Sequence, residues 1–313
     1  MSCPLSILIP SHNRPDRLWH CLKSVIRHSP PGTQWLVVDD ASPDGCIQRV
    51  AERFAGVEVV RRADQGGFCR AVNTGLRSTR GTIVQVLNDD TEVSPRFAEP
   101  VLRRFAANPG IVAISPLVRT GDRIDSMGDQ YWPWGVAQKR GHGQPLTTAR
   151  RAAQSINFAN GCASFYRREV LQACGGFAEE LGAYFDDIDL SFRLRRWGEI
   201  WYEPACEIQH HVSSSYGRPQ GDLLVMQSRN EELVYWRNLP WPALLGWLPV
   251  HAAVVALKAY RRWREGNLHA FWRGRCQAWA SFAQVCRYRA AQARGVPANR
   301  AESDRALAPM SRR

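Results

Sequence analysis

Leu5-Ser6-Ile7-Leu8-Ile9-Pro10-Ser11-His12-Asn13-Arg14 is the stretch on which the fold turns. Its apolar run is too short for a helix, stops at a proline and opens into a polar cluster, which reads as a buried strand followed by a loop. The same handover recurs twice: residues 35–38 run into Asp39-Asp40-Ala41-Ser42, and residues 83–87 into Asn88-Asp89-Asp90. Further β-rich runs lie at 57–60 and 111–114. Leu18, Leu22, Val25 and Ile26, then Val101, Leu102 and Phe105, recur at helical spacing between them. This alternation predicts an α/β fold with a mostly parallel sheet flanked by helices. Ligands of such sheets gather at the carboxyl ends of the strands, so three polar strand ends converge on one candidate site. No glycine-rich dinucleotide fingerprint and no phosphate-loop lysine motif follows the first strand.

Of the 313 residues, 44% are hydrophobic and 22% charged, a globular composition that excludes disordered, collagen-like and coiled-coil chains. The net charge of +12 is unevenly placed: residues 1–237 carry 28 basic and 26 acidic side chains, residues 238–313 carry 13 and 3. The basic tail asks for an anionic surface. Nine scattered cysteines without a CxxC pair indicate neither a zinc site nor a disulfide framework, and residues 5–9 are too short for a secretory leader. Both point to a cytoplasmic protein.

Periodicity fades between about 115 and 160, a span rich in Gly, Pro, Arg and aromatic residues, which reads as a long loop. Leu190, Leu194 and Trp197 restore helical spacing. Three spans follow from these patterns: an α/β domain over 1–237, an amphipathic helical segment over 238–290, and a disordered basic tail over 291–313. Residues 239–257 are apolar but interrupted by Pro249 and His251, and lead into Lys258, Arg261, Arg262 and Arg264, so the segment reads as lying on a membrane surface rather than crossing it. Leu268, Phe271, Trp272, Cys276, Trp279, Phe282 and Cys286 form one further stripe with arginines beside it.

Several clusters carry candidate chemistry, each with a plainer structural reading beside it. Asp39-Asp40 serves either a turn or a site. Asn88-Asp89-Asp90 ends an apolar strand and offers hard oxygen ligands for Mg²⁺ or Mn²⁺, or is an Asp-rich turn. Asp186-Asp187-Ile188-Asp189 opens a helix, where acids cap, yet three carboxylates in four residues raise at least one pKa as a general base requires. His210-His211 reads by itself as a structural pair, and it becomes a candidate to complete a metal site begun by the Asp residues only with the resemblance given below. Asp64-Gln65-Gly66-Gly67 enters a helix carrying Arg70, whose guanidinium and neighbouring amides suit a phosphate or a base.

In this order the motifs resemble those of inverting glycosyltransferases of family 2, with the GT-A (Rossmann-like) fold, and among them the bacterial rhamnosyltransferase-like members. The resemblance covers residues 4–237 and includes Val37-Val38-Asp39-Asp40-Ala41-Ser42, Gly66-Gly67-Phe68, Leu87-Asn88-Asp89-Asp90, Asn160-Gly161-Cys162-Ala163, Gly175-Gly176-Phe177 and Glu203-Pro204. It implies that Asp39 binds the base of a nucleotide-sugar, with Pro10, Arg14 and Arg70 about the same pocket and Asp40, Asn88, Asp89, Gly161 and Asp186 also at the substrates. It implies Asp90 and His210 as ligands of Mg²⁺ or Mn²⁺, and Asp187 as the catalytic base. Asn88 departs from the family's DxD pattern, and Asp186 stands where a Glu is usual. The implied activity is metal-dependent, inverting sugar transfer, with rhamnose as the subgroup's sugar, to a hydroxyl of a glycan or lipid-linked acceptor. The implied place is the inner face of the cytoplasmic membrane, against anionic lipid. A sugar-nucleotide-forming nucleotidyltransferase is the main rival. A nucleic-acid-binding protein is disfavoured because the first 237 residues are nearly neutral.

Overall fold

A computed structural model describes residues 3–211 and 221–294. Its first half alternates strand and helix: β1 (Leu5–Ser11), α1 (Pro15–His28), β2 (Gln34–Asp39), α2 (Cys46–Ala51), β3 (Val57–Arg61), α3 (Phe68–Leu76), β4 (Ile83–Val86), β5 (Thr91–Val93), α4 (Ala98–Ala107) and β6 (Ile111–Thr120). Then come β7 (Arg123–Ser126), β8 (Asp129–Trp132), β9 (Val136–Lys139), β10 (Gln154–Ile156), β11 (Phe165–Arg167), α5 (Arg168–Ala173), α6 (Asp186–Leu194) and β12 (Glu199–His210). Four helices follow: α7 (Gly221–Asn238), α8 (Trp241–Arg264), α9 (Leu268–Ala280) and α10 (Phe282–Ala293).

The main sheet has the order β10-β12-β6-β11-β4-β1-β2-β3, with β5 on β12 and β7 on β6. β4, β1, β2 and β3 are parallel, as are β6 and β12, while β11 runs antiparallel between β4 and β6. Both faces of the parallel half are covered, which is why β1 is apolar almost throughout. Leu5, Ile7 and Ile9 pack with Leu18, Leu22 and Val25 of α1, and Leu8 points to the opposite core with Val72 and Leu76 of α3. Each such side chain contributes about 1.5–3 kcal/mol by leaving water. The sheet's carboxyl edge is thereby held rigid, and the polar strand ends sit on it.

Residues 115–160 are not the long loop that their composition suggests. β6 continues to Thr120, and Gly121, with φ +60°, closes a two-residue hairpin into β7. β8 and β9 form a separate two-stranded ribbon. β7, β8 and β9 have four residues each, too few for a period of two to stand out against the prolines and glycines.

α7 packs along α9 and α10, and its Leu233 and Val234 join Ile188 of α6 in a third core. α8 is one 24-residue helix that runs through Pro249, and by length and composition alone it could cross a membrane. Its Leu245, Trp247, Leu248, Val250, Leu257, Tyr260 and Trp263 are exposed, whereas Leu244 and His251 turn inward. The stripe expected from Leu268 to Cys286 divides. Phe271, Arg275 and Ala278 share the face of α9 that packs on α7 and are buried, while Trp272 and Trp279 on the adjoining face, and Phe282 beyond the break at Ser281, remain exposed. The expected basic tail begins inside α10, and residues 295–313 lie outside the described residues.

Candidate active site

The ends of β1, β2 and β4 and the start of α3 enclose a cleft of about 240 Å³. Pro10, Ser11, His12 and Arg14 contribute one wall, Gly67, Phe68 and Ala71 another, and Asn88, Asp89, Asp90 and His210 the floor. The Ser11 hydroxyl donates to Asp89 (2.6 Å), and Arg14 lies 3.9 Å from Asp89 and 3.7 Å from Asp90. Burial pushes the Asp89 carboxyl up to about 6, with the Asp90 charge adding and the Ser11 hydrogen bond opposing.

Asp39 and Asp40 part company. Asp39 is fully buried and absent from the cleft lining: its carboxylate accepts the Ser42 N–H (2.8 Å) and faces Arg61 (3.5 Å). It organises the turn after β2. Asp40 lines the cleft, accepts the N–H of Gly66 (2.9 Å) and Gly67 (2.7 Å), and pairs with Arg62 (2.8 Å). The base-binding role expected of Asp39 therefore meets a side chain whose oxygens face inward, because successive residues at a strand end point to opposite sides. The Gly66 and Gly67 amides are likewise engaged by Asp40. Arg70 is half exposed, faces Glu179 (3.5 Å) and is not among the lining residues.

His210 and His211 are also separated by the pleat. His210 Nε2 lies 3.2 Å from Asp90 and its Nδ1 3.0 Å from Asp125, whereas His211 turns to Glu92 (2.8 Å). Burial disfavours a charged His210, but the hydrogen bonds to Asp125 and Asp90 outweigh it and raise its pKa to about 9. The buried Asn88 Oδ1, beside Asp90 in the cleft, has no hydrogen-bond partner among the described residues. Carboxylate, imidazole and an unpartnered amide oxygen are a donor set suited to Mg²⁺ or Mn²⁺, and Asp125 would orient the imidazole from behind. Asp125, Cys162 and His210 also cluster closely enough to hold a metal, but both Asp125 oxygens already accept from Lys139 (2.9 Å each).

From Asp125 the polar chain continues. Lys139 on β9 is the cross-strand partner of Asp129 on β8, and burial together with the Asp187 charge raises the pKa of Asp129. Asp90, His210, Asp125 and Lys139 thus form one contiguous series, and the Lys139 charge acts on both Asp129 and Asp187. Asp187 is only partly exposed; burial raises its pKa, against the hydrogen bond from the Ile188 N–H (2.8 Å). Burial and the Asp187 charge raise Asp186 in turn. Gly161 packs on Asp187 so tightly that a Cβ there would stand 3.1 Å from its Oδ2. Asp189, the third acid, is structural: it pairs with Arg193 and Arg237 at 3.0 Å each.

The turn before α6 is strained, with Tyr184 at φ +66° and Phe185 at φ +63°. Asn230 of α7 holds it by donating to the carbonyls of Leu181 (2.8 Å), Ala183 (2.7 Å) and Tyr184 (3.0 Å). Asp125, Asp129 and Lys139 escaped the sequence reading because they lie in the span taken for a loop. The available signal was Thr120-Gly121-Asp122-Arg123, a two-residue hairpin turn between β-forming flanks.

A mixed α/β sheet with an acidic cleft at its strand ends defines the class: a GT-A glycosyltransferase fold. It overlays a mannosyltransferase from Pyrobaculum calidifontis, solved with GDP-Man and Mn²⁺, with a TM-score of 0.54 and 17% identity over 96% of this chain and 86% of that one. GalNAc-T7 with UDP, GalNAc and Mn²⁺ gives 0.59 at 15% identity, over 80% of this chain and 55% of that one. The model of glycosyl transferase family 2 matches residues 6–175, and the chain belongs to that family. Among its relatives, N-acetylglucosaminyl-diphospho-decaprenol L-rhamnosyltransferase of Mycobacterium tuberculosis is 24% identical over 74% of this chain and 86% of that protein. An uncharacterized protein of Sinorhizobium fredii is 29% identical over 68% of this chain, which spans 25% of its length. The β-monoglucosyldiacylglycerol synthase of a Nostoc species is 27% identical over 65% of this chain and 44% of that protein.

Proposed function

We propose that the chain transfers a sugar from a nucleoside diphosphate donor to a hydroxyl of a glycan or lipid-linked acceptor, with inversion at the anomeric carbon. The observation that carries this reading is the cleft where Asp90, His210 and the unpartnered Asn88 Oδ1 meet, joined through Asp125 to Lys139, whose charge acts on the Asp187 carboxyl. Asp90, His210 and Asn88 Oδ1 would hold Mg²⁺ or Mn²⁺, which when bound offsets charge on the departing diphosphate. Asp40, Pro10 and Arg14 would form the nucleotide pocket. Asp187 takes the proton from the acceptor hydroxyl as its oxygen bonds to the anomeric carbon, and the electron pair of the breaking carbon–oxygen bond leaves with the diphosphate.

Rhamnose as the sugar and a lipid-linked acceptor are supported by the name of the mycobacterial relative. The exposed Trp, Leu and Tyr side chains of α8, with Arg261, Arg262 and Arg264 at its end, support attachment to anionic lipid at the inner face of the cytoplasmic membrane.

The test is Asp187→Asn in the full-length protein. Turnover with an identified donor and acceptor should fall about a hundredfold to ten-thousandfold, with donor affinity kept. Wild-type turnover in the folded variant would overturn the assignment.

A further inference from the structure

β8 and β9 stand apart from the main sheet as a ribbon of their own. Tyr131 turns inward, its ring 5.4 Å from Phe192 and 5.9 Å from Phe158. Side chains alternate along a strand, so Trp132 faces the other way, and it is only partly buried. Trp134 at the tip, also partly buried, stacks on it at 6.1 Å and 25°, and Trp247 of α8 stands 5.3 Å from Trp134. Three indoles therefore run without a break from the ribbon onto α8. The tip is fastened there: His251 Nδ1 donates to the Trp134 carbonyl (3.0 Å), and the same imidazole stacks on Tyr235 of α7 at 3.7 Å and 4°. Gly135, with φ +87°, closes the turn so tightly that a Cβ would stand 2.8 Å from His251 Nδ1.

The surface beside these indoles is apolar. Residues 241–257 contain no Lys, Arg, Asp or Glu, and Trp241, Leu245, Leu248, Val250 and Leu257 are exposed. Residues 258–265 then hold four basic side chains against the single acid Glu265, with Tyr260 and Trp263 exposed among them. So large a bare apolar patch marks a contact surface. Apolar side chains bordered by tryptophan and by excess positive charge match the boundary between acyl chains and headgroups of an anionic bilayer.

We propose that the β8–β9 ribbon is a second lipid-contacting element, its Trp132 and Trp134 entering the headgroup layer of an anionic bilayer beside Trp247. The proposal rests on the reading of α8 as the helix that attaches to anionic lipid.

The consequence is orientation. A domain attached through α8 alone could roll about the helix axis, and a second contact beside that axis stops the roll. The far end of the ribbon carries Lys139, which donates to Asp125 (2.9 Å), and Asp125 lies 3.0 Å from His210 Nδ1. At about 3.4 Å per residue, the Asp129–Lys139 rung stands only about 10 Å along the strand from Trp132. A ribbon docked by its tip therefore keeps the His210 end of the cleft close to the headgroups, where a hydroxyl carried on a lipid is presented.

The test needs no substrate. Full-length protein labelled with fluorotryptophan is mixed with nanodiscs of phosphatidylglycerol and phosphatidylcholine, with and without a headgroup-spin-labelled lipid, and the fluorine resonances are assigned with single Trp→Phe variants. The spin label should broaden Trp132, Trp134 and Trp247 and leave Trp35 of β2 sharp. Broadening confined to the tryptophans of α8 overturns the ribbon contact while α8 attachment stands, and no association with the discs overturns both. Cosedimentation with vesicles of the same lipids gives the size of the effect. The double variant Trp132→Ala, Trp134→Ala should partition about tenfold or more weakly, since burying roughly 55 Å² of apolar surface suffices for that factor. Unchanged partition refutes the proposal, and if the double variant does not fold, the wild-type fluorine spectra decide. Lipid-free self-association that shifts Trp132 and Trp134 and survives on the discs would show a second copy covering this surface, which also refutes it.

Discussion

Arg275→Ala tests what fastens the C-terminal helices to the catalytic domain. Arg275 is 1% exposed on α9 and sends its two terminal nitrogens to Glu232 and Glu231 of α7, with its guanidinium 5.0 Å from the Phe271 ring. Glu232 also accepts from Trp236 (2.6 Å) and Trp279 (3.0 Å) and faces His251 (3.3 Å). Burial opposes its charge, but His251 and Arg275 outweigh that and lower its pKa to about 2 from 4.5. That depression corresponds to about 3 kcal/mol of folded-state preference for the ionised form. Removing one partner of a buried ion pair costs about 3–5 kcal/mol because the other charge is stranded, which agrees in size. Thermal unfolding should therefore drop by roughly 10 °C. The pH dependence has a definite sign: because the folded pKa is depressed, this stability is present above the unfolded value near 4.5 and is lost as pH falls through about 2. Scanning calorimetry of wild type and Arg275→Ala from neutral to acid pH measures both. A variant melting within a degree or two of wild type would show that the cluster does not hold the helices.

Three further outcomes follow from the site. Asp40→Ala releases the Gly66 and Gly67 amides and Arg62; since a hydrogen bond to a charged group contributes about 1.5–3 kcal/mol, donor affinity should fall about tenfold or more, and titration calorimetry with unchanged affinity would count against the tether. Gly161→Ala places a methyl carbon 3.1 Å from Asp187 Oδ2, so turnover should fall while donor affinity, read by the same titration, is kept. Asp90→Ala should abolish the dependence of donor binding on Mn²⁺ or Mg²⁺, and donor titrations that remain equally metal-dependent would reject Asp90 as a ligand.

The amino-acid order alone determined the α/β layering, because both cores depend on short apolar runs and helical spacing that are visible within ten or so residues. It also marked the strand ends at Ser11, Asp40 and Asp90 and the acidic start of α6, since polar residues that interrupt apolar strands stand out locally. What lay beyond it was direction and partnership. Which of Asp39 and Asp40 faces the cleft, and which of His210 and His211 meets Asp90, depends on the pleat at a strand end. Only the packed sheet orients that pleat. Asp129 and Asp187 are 58 positions apart in the numbering, and β8 and β9 are too short to announce themselves. Their proximity arises from tertiary packing, where burial raises the pKa of both acids.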